Sequence, residues 1–182
     1  QAGNIGGGGF AVFRHSNGEV GSLDFREKAP KAASKDMYLD EQGNVIKGLS
    51  IVGHKAYGVP GSVDGMIKLH EKYGSLPFSD LVQPSVNLAY DGVILTEWQA
   101  QSFNKYKEIF IEQNGPNAYV IKDTPWIAGD TLYHKALAGT LAQIRDKGRA
   151  GFYDGIVADQ IVKNAIRGKG LITHEDLKAY QS

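Results

Sequence analysis

The sequence contains no cysteine. That excludes a disulfide framework, a thiolate metal site and a cysteine nucleophile. It has no excess of charge of either sign, with 20 Lys+Arg against 20 Asp+Glu. A zero balance argues against a nucleic-acid-binding stripe or an anionic-membrane patch, so no nucleic-acid partner is expected. No apolar run approaches the ~20 residues that a membrane span needs. Of the local frames of the serine hydrolases, Gly-x-Ser-x-Gly is missing. The histidines His15, His54, His70, His134 and His174 form no His-Glu-x-x-His pattern and no i,i+4 pair. No metal and no cofactor are therefore expected, and His70, on the apolar stripe of a helix, reads as a core or boundary histidine. The first residues also lack a Met, a basic n-region and an apolar h-region. The chain reads as an interior piece of something longer.

What is present is ordinary globular composition, with 42% hydrophobic and 22% charged residues. The length of 182 residues fits one domain, at most two. Glycine is the outlier at 23 residues, about 13% against a usual ~7%. Two extended runs, Phe10 to Arg14 and Glu19 to Glu27, flank Ser16-Asn17-Gly18, a strong hairpin signal. Gly21 inside the second run suggests a bulge or a close backbone approach. Residues 28–60 read as irregular, with a turn at Asp40 to Asn44.

From residue 61 the period becomes helical. Ser62 is expected to cap a helix carrying Val63, Met66, Ile67, His70 and Tyr73, with Gly74 at its C′ position. Pro84 is expected to split the pattern over Phe78 to Asp91 by starting a second helix, which Gly92 ends. Thr96 is expected to cap a helix running to Gly115. A long loop to Gly129 follows, then helices over Thr131 to Lys147 and Ile156 to Arg167. Thr173-His174-Glu175-Asp176 is a capping-box-like start for a last helix through Tyr180.

Two constellations carry chemistry. Gly6-Gly7-Gly8-Gly9 could cradle a phosphate, but it leads into a strand with no Gly-Lys-Ser/Thr after it. It reads instead as a place where other segments press on the backbone and a Cβ would clash. Asp24-Phe25-Arg26-Glu27 ends the hairpin. An arginine at a strand end offers a planar fork suited to a carboxylate. Spacing alone favours a surface ion pair with Asp24 or Glu27 over a ligand role, and strand alternation points Glu27 away from Arg26. Bottom-up, the chain offers one ligand-binding arginine and no nucleophile.

Gly3-Asn4-Ile5-Gly6-Gly7-Gly8-Gly9-Phe10 and Leu23-Asp24-Phe25-Arg26-Glu27-Lys28-Ala29-Pro30 together resemble the large subunit of the γ-glutamyltranspeptidase family. Gly58-Val59-Pro60-Gly61-Ser62, Lys72-Tyr73-Gly74-Ser75-Leu76-Pro77, Leu81-Val82-Gln83-Pro84, Gly151-Phe152-Tyr153-Asp154-Gly155 and Glu175-Asp176-Leu177-Lys178-Ala179-Tyr180 continue the resemblance in order.

The resemblance implies an α+β fold: a segment of an N-terminal-nucleophile (Ntn) hydrolase αββα sandwich, with an N-terminal β-hairpin followed by a mainly helical lobe. It implies one partial domain over 1–182, with a sheet portion at 1–30 and a helical portion at 61–182. Family members cleave themselves from one precursor, and the new N-terminal Thr of the small subunit attacks the γ-glutamyl amide of glutathione and related compounds. The acyl group then passes to water or to an amino-acid acceptor.

By motif, Arg26 is the residue that holds the α-carboxylate of the glutamyl group, and Glu27 helps orient the arginine or the substrate. No catalytic residue falls in this chain. The partners implied are glutathione or another γ-glutamyl amide, an amino-acid acceptor, and the small subunit with its Thr nucleophile. Export to the periplasm or secretion is implied as well. Thr173-His174 sits in the context of a helix start, so Thr173 reads as a cap. Two alternatives stay open: a glutaryl-cephalosporin-type acylase on the same scaffold, and a non-catalytic binding or scaffold module.

Overall fold

The computed structural model describes residues 4–182. Of the resemblance motifs, only Gly3 lies outside the described residues. The chain divides into two compact units, residues 1–78 with 143–182, and residues 79–142.

The first unit opens on the hairpin expected from Asn17-Gly18. Strand β1, Phe10–Arg14, pairs antiparallel with β2, Val20–Asp24, with Phe13 opposite Gly21. Gly18 turns the chain at φ +92°, where other residues are strained. Gly21 makes no bulge. It is instead the close approach, since a Cβ there would stand 2.3 Å from the Phe13 ring. Alternation leaves Phe10, Val12 and Val20 exposed on one face of the hairpin. Residues 28–60 contain no helix or strand, as expected, and fold back through the bridge Lys28–Val59. In the turn, the Asp40 carboxylate accepts from the N–H groups of Gln42 and Asn44.

Helix α1, Ser62–Tyr73, buries Val63 and Ile67. Ser62 does not cap it, contrary to expectation. Ser62 is the first helical residue, fully buried, with no hydrogen-bond partner on its hydroxyl. The reason is tertiary: the N–H groups of Gly61 and Ser62 both donate to the Gly7 carbonyl, at 2.8 and 3.0 Å. Backbone from the glycine run thus does the work of a side-chain cap. Met66 is 52% exposed, because the buried stripe narrows to Val63 and Ile67. His70 is half-buried, with Nε2 2.7 Å from the Leu76 carbonyl oxygen.

The second unit holds most of α2, Phe78–Asp91. Pro84 does not split this helix. It lies on the exposed side, while half-buried Val82 and Val86 and buried Ala89 continue one packed stripe past it. The ring therefore removes one backbone bond without removing the packing. Two short strands follow that periodicity missed, β3 (Val93–Ile94) and β4 (Thr131–Leu132), paired antiparallel. Thr96 caps α3, Glu97–Lys105, in a capping box with Gln99, as expected. The single helix expected to Gly115 is two, since Tyr106 breaks the run before α4, Lys107–Asn114. Asn104 clamps Trp126 by accepting from its N–H and donating to its carbonyl, both at 2.8 Å.

Helix α5, Lys135–Lys147, starts later than expected because β4 occupies Thr131–Leu132. In the first unit, a four-residue helix not anticipated, α6 (Ala150–Tyr153), precedes α7, Gly155–Arg167. Helix α8, His174–Ala179, begins at Thr173 as expected. The Thr173 hydroxyl accepts from the Asp176 N–H and donates to its carboxylate. The Asp176 carboxylate also accepts from the Lys31 N–H at 2.8 Å. Burial raises the Asp176 pKa, but these hydrogen bonds outweigh it and hold the carboxyl below its ordinary value.

Candidate functional site

The site is built where β2 ends. Strand β2 ends at Asp24, and the next residue, Phe25, points inward and is buried. Two strand-like bonds persist there, from the Phe25 N–H to the Gly9 carbonyl at 2.9 Å and from the Gly9 N–H to the Phe25 carbonyl at 3.3 Å.

The glycine run lies directly against this segment. A Cβ on Gly8 would stand 2.5 Å from the Phe25 carbonyl oxygen and 2.7 Å from the Glu27 nitrogen. Only a residue without Cβ fits between those backbones. The expected close approach is thus the observed role of Gly8. Gly61 packs from the other side, where a Cβ would meet the Phe25 oxygen and the Tyr180 hydroxyl, both at 2.1 Å.

The peptide of Arg26 is held at both ends. Its N–H donates to the Asp24 carboxylate at 2.8 Å, and its carbonyl accepts from the Tyr180 hydroxyl at 2.7 Å. Its side chain is 61% exposed. Nε donates to the Glu27 carboxylate at 3.2 Å, and the guanidinium lies over the Phe10 ring at 5.6 Å. Glu27 therefore sits beside Arg26, contrary to the expectation from strand alternation. The last ladder bonds are those of the Gly9–Phe25 pair, so a period of two no longer governs the chain beyond Arg26. Among the described residues, nothing engages the terminal Nη groups of Arg26. An exposed pair of this kind adds only about 0–1 kcal/mol to stability. Its geometry leaves the planar end of a cation open to a carboxylate.

Sequence reasoning missed the residues beneath this site. Asp64 is buried, and its carboxylate accepts from Arg149 Nε at 2.7 Å and from the Ser182 N–H and hydroxyl at 2.8 and 2.9 Å. Burial pushes its pKa up, but these bonds and the nearby Lys68 charge hold it below the ordinary carboxylate value. Arg149 also donates to the carbonyls of Tyr180 and Lys178 and lies over the Tyr153 ring. The Tyr153 hydroxyl donates to the Pro60 carbonyl at 2.8 Å, and burial raises its pKa. The only sequence signal for this set was that Tyr153 and Tyr180 fell inside resemblance motifs.

Among the described residues, no cluster of three or more His, Cys, Asp or Glu could hold a metal ion. Among the described residues, no helix is long and apolar enough to cross a membrane.

The comparisons agree with this architecture. The family model described as gamma-glutamyltranspeptidase matches residues 1–182. The chain is 44% identical over 181 residues to the glutathione hydrolase proenzyme of Pseudomonas aeruginosa and 41% identical over 184 residues to that of Escherichia coli. Both alignments take in 100% of this chain and 32% of the relative. The chain thus spans about a third of the length of these curated relatives.

Among solved structures, the γ-glutamyltranspeptidase of Helicobacter pylori superposes with TM-score 0.93 at 45% identity, over 99% of this chain and 52% of that one. A cephalosporin acylase from Bacillus halodurans shares the fold at TM-score 0.80 and 23% identity, over 97% of this chain and 34% of that one. The mixed α/β architecture is that of the γ-glutamyltranspeptidase Ntn-hydrolase neighbours. With the glycine-packed hairpin end, the ordered motifs and these matches in agreement, the chain belongs to the γ-glutamyltranspeptidase family.

Proposed function

We propose that this chain is the substrate-anchoring segment of an enzyme that transfers the γ-glutamyl group of glutathione or related amides to water or to an amino acid. The observation that carries the reading is the Arg26 guanidinium, held by Glu27 on one edge and by Phe10 on one face, with its terminal nitrogens open. A planar cation in that state matches the α-carboxylate of a glutamyl donor bidentately. Glu27 fixes the plane of the fork, and Gly8 lets the glycine run support it from behind.

The nucleophile in this reading is the N-terminal Thr of a small subunit formed by self-cleavage. Its α-amine takes the hydroxyl proton, and the hydroxyl oxygen attacks the γ-carbonyl. The amide nitrogen then leaves with a proton, and the acyl-Thr ester passes to water or to an amine. The chain's own contribution is binding and orientation, which lower the entropic part of the barrier. The "proenzyme" in the relatives' names fits such processing. The same reading places the protein in the periplasm or outside the cell, which cell fractionation tests.

The direct experiment is steady-state kinetics of Arg26→Ala in the full-length enzyme with a γ-glutamyl anilide. The expected result is a rise in KM of about tenfold or more, the size of a charged hydrogen bond lost. An unchanged KM overturns the assignment. Parallel assays with a glutaryl anilide, which lacks the α-amine, separate this reading from an acylase.

A further inference from the structure

The Arg26 carbonyl takes its hydrogen bond from a residue 154 positions away in sequence. Tyr180 is 2% exposed, and its ring stacks on Tyr153 at 5.8 Å with an interplanar angle of 7°. It follows α8 directly, in extended backbone. The segment it belongs to is fastened at successive residues. Arg149 donates to the Tyr180 carbonyl, Lys28 Nζ donates to the Gln181 carbonyl at 2.6 Å, and the Asp64 carboxylate accepts from the Ser182 N–H. Lys28 also sits over the Tyr180 ring at 5.2 Å. Gly61 clears the space through which the hydroxyl reaches the hairpin end.

We infer that Tyr180 is a positioning residue for substrate binding: its hydroxyl, donated to the Arg26 carbonyl, sets the fraction of molecules in which the Arg26 fork is ready for a carboxylate. The inference rests on the reading of Arg26 as the anchor. The physical basis is that the Arg26 peptide has two tethers. The Asp24 carboxylate holds the N–H from within the hairpin, while Tyr180 holds the carbonyl from the far end of the unit. Loss of the second tether lets Arg26 and Glu27 shift about the first, between their fixed neighbours, the Gly9–Phe25 bond pair and the Lys28–Val59 bridge. Affinity then falls by the fraction of competent molecules, and the chemical step does not change. Burial and the charges of Asp64, Asp24 and Glu27 push the Tyr180 pKa up to about 12, so the hydroxyl keeps its proton at neutral pH.

The test is a double-mutant cycle in the full-length enzyme, with KM and kcat read separately on a γ-glutamyl anilide. Tyr180→Phe removes only the hydroxyl oxygen. It is expected to raise KM about 3- to 10-fold, the weight of one hydrogen bond, with kcat within about twofold. In an Arg26→Ala background the same change is expected to add no further rise. KM does not depend on the active fraction, so partial loss of folded protein does not mask the result.

Lys28→Met loosens the same segment from an exposed position and leaves Tyr180 intact. Its expected effect is a smaller KM rise in the same direction, and it decides the matter if Tyr180→Phe does not fold. An unchanged KM in Tyr180→Phe overturns the inference, as does an equal rise in the Arg26→Ala background. If Arg26→Ala itself leaves KM unchanged, the anchor reading falls first, and the two failures are distinguishable.

Discussion

The carboxylate of Asp64 and the guanidinium of Arg149 meet at 2.7 Å across 85 residues of sequence. The Asp64 side chain is 2% exposed and that of Arg149 is 35% exposed. This pair joins the start of α1 to the chain between α5 and α6, and Asp64 passes the connection on to Ser182. A buried carboxylate with this many donors is costly to disturb, because each donor left behind loses its partner.

Asp64→Asn is therefore expected to lower unfolding stability at pH 7 by about 1–3 kcal/mol, read as a lower urea midpoint. The pH dependence follows from the depressed pKa. The Asp64 contribution is full above the unfolded carboxylate value of about 3.9 and is lost as pH falls through the lower folded value. The gap between wild type and Asp64→Asn should thus narrow only below about pH 4. A gap that closes between pH 8 and 6 would show the bonding to be otherwise.

Two glycine-to-alanine changes should have opposite signs. Gly8→Ala forces a Cβ into the backbone of residues 25–27 and is expected to cost about 1–3 kcal/mol, with a raised KM for the donor. Gly139, inside α5, has nothing within 4 Å of a built Cβ. There alanine is expected to stabilise by up to about 1 kcal/mol with KM unchanged. Paired thermal melts decide both.

Glu27→Gln separates positioning from stability. The Arg26 side chain is 61% exposed and that of Glu27 34%, so the pair is solvent-screened and the melting temperature should move little. The fork loses its charged neighbour, so KM for a γ-glutamyl donor is expected to rise severalfold. A drop in stability with KM intact would assign Glu27 a purely structural place.

Thr173→Ala is expected to cost about 1 kcal/mol, the weight of an N-cap, with kcat retained within about twofold. Loss of acyl-enzyme formation in that variant would make Thr173 a nucleophile and not a cap. In the same vein, the 182-residue chain assayed alone is expected to show no transpeptidase turnover.

How much of this was legible in the sequence depends on the range of the forces involved. The hairpin turn at Asn17-Gly18 and the caps at Thr96 and Thr173 were readable, because each is settled within a few residues. Ser62 failed as a cap because the donors at the start of α1 are satisfied by Gly7, far away in sequence. Pro84 failed as a breaker because the packed stripe lies on the other side of the helix. At the site, Arg26 and Glu27 came from motif resemblance. Their pairing did not follow from alternation, which ends with the last ladder bonds at Phe25. Asp64, Arg149 and Tyr180 carry no local signal, since the hydrogen bonds that define them reach partners 29 to 154 residues distant.

The tether between Tyr180 and Arg26 also bears on the order of folding. The hairpin closes over a handful of residues, whereas the Tyr180–Arg26 contact closes a loop through nearly the whole chain. Loop-closure entropy and contact order place such a contact late. A nascent molecule thus forms β1 and β2 well before the Arg26 peptide gains its second tether. On the reading of Arg26 as the anchor, docking of the residues after α8 is the checkpoint between a collapsed chain and a binding-competent one.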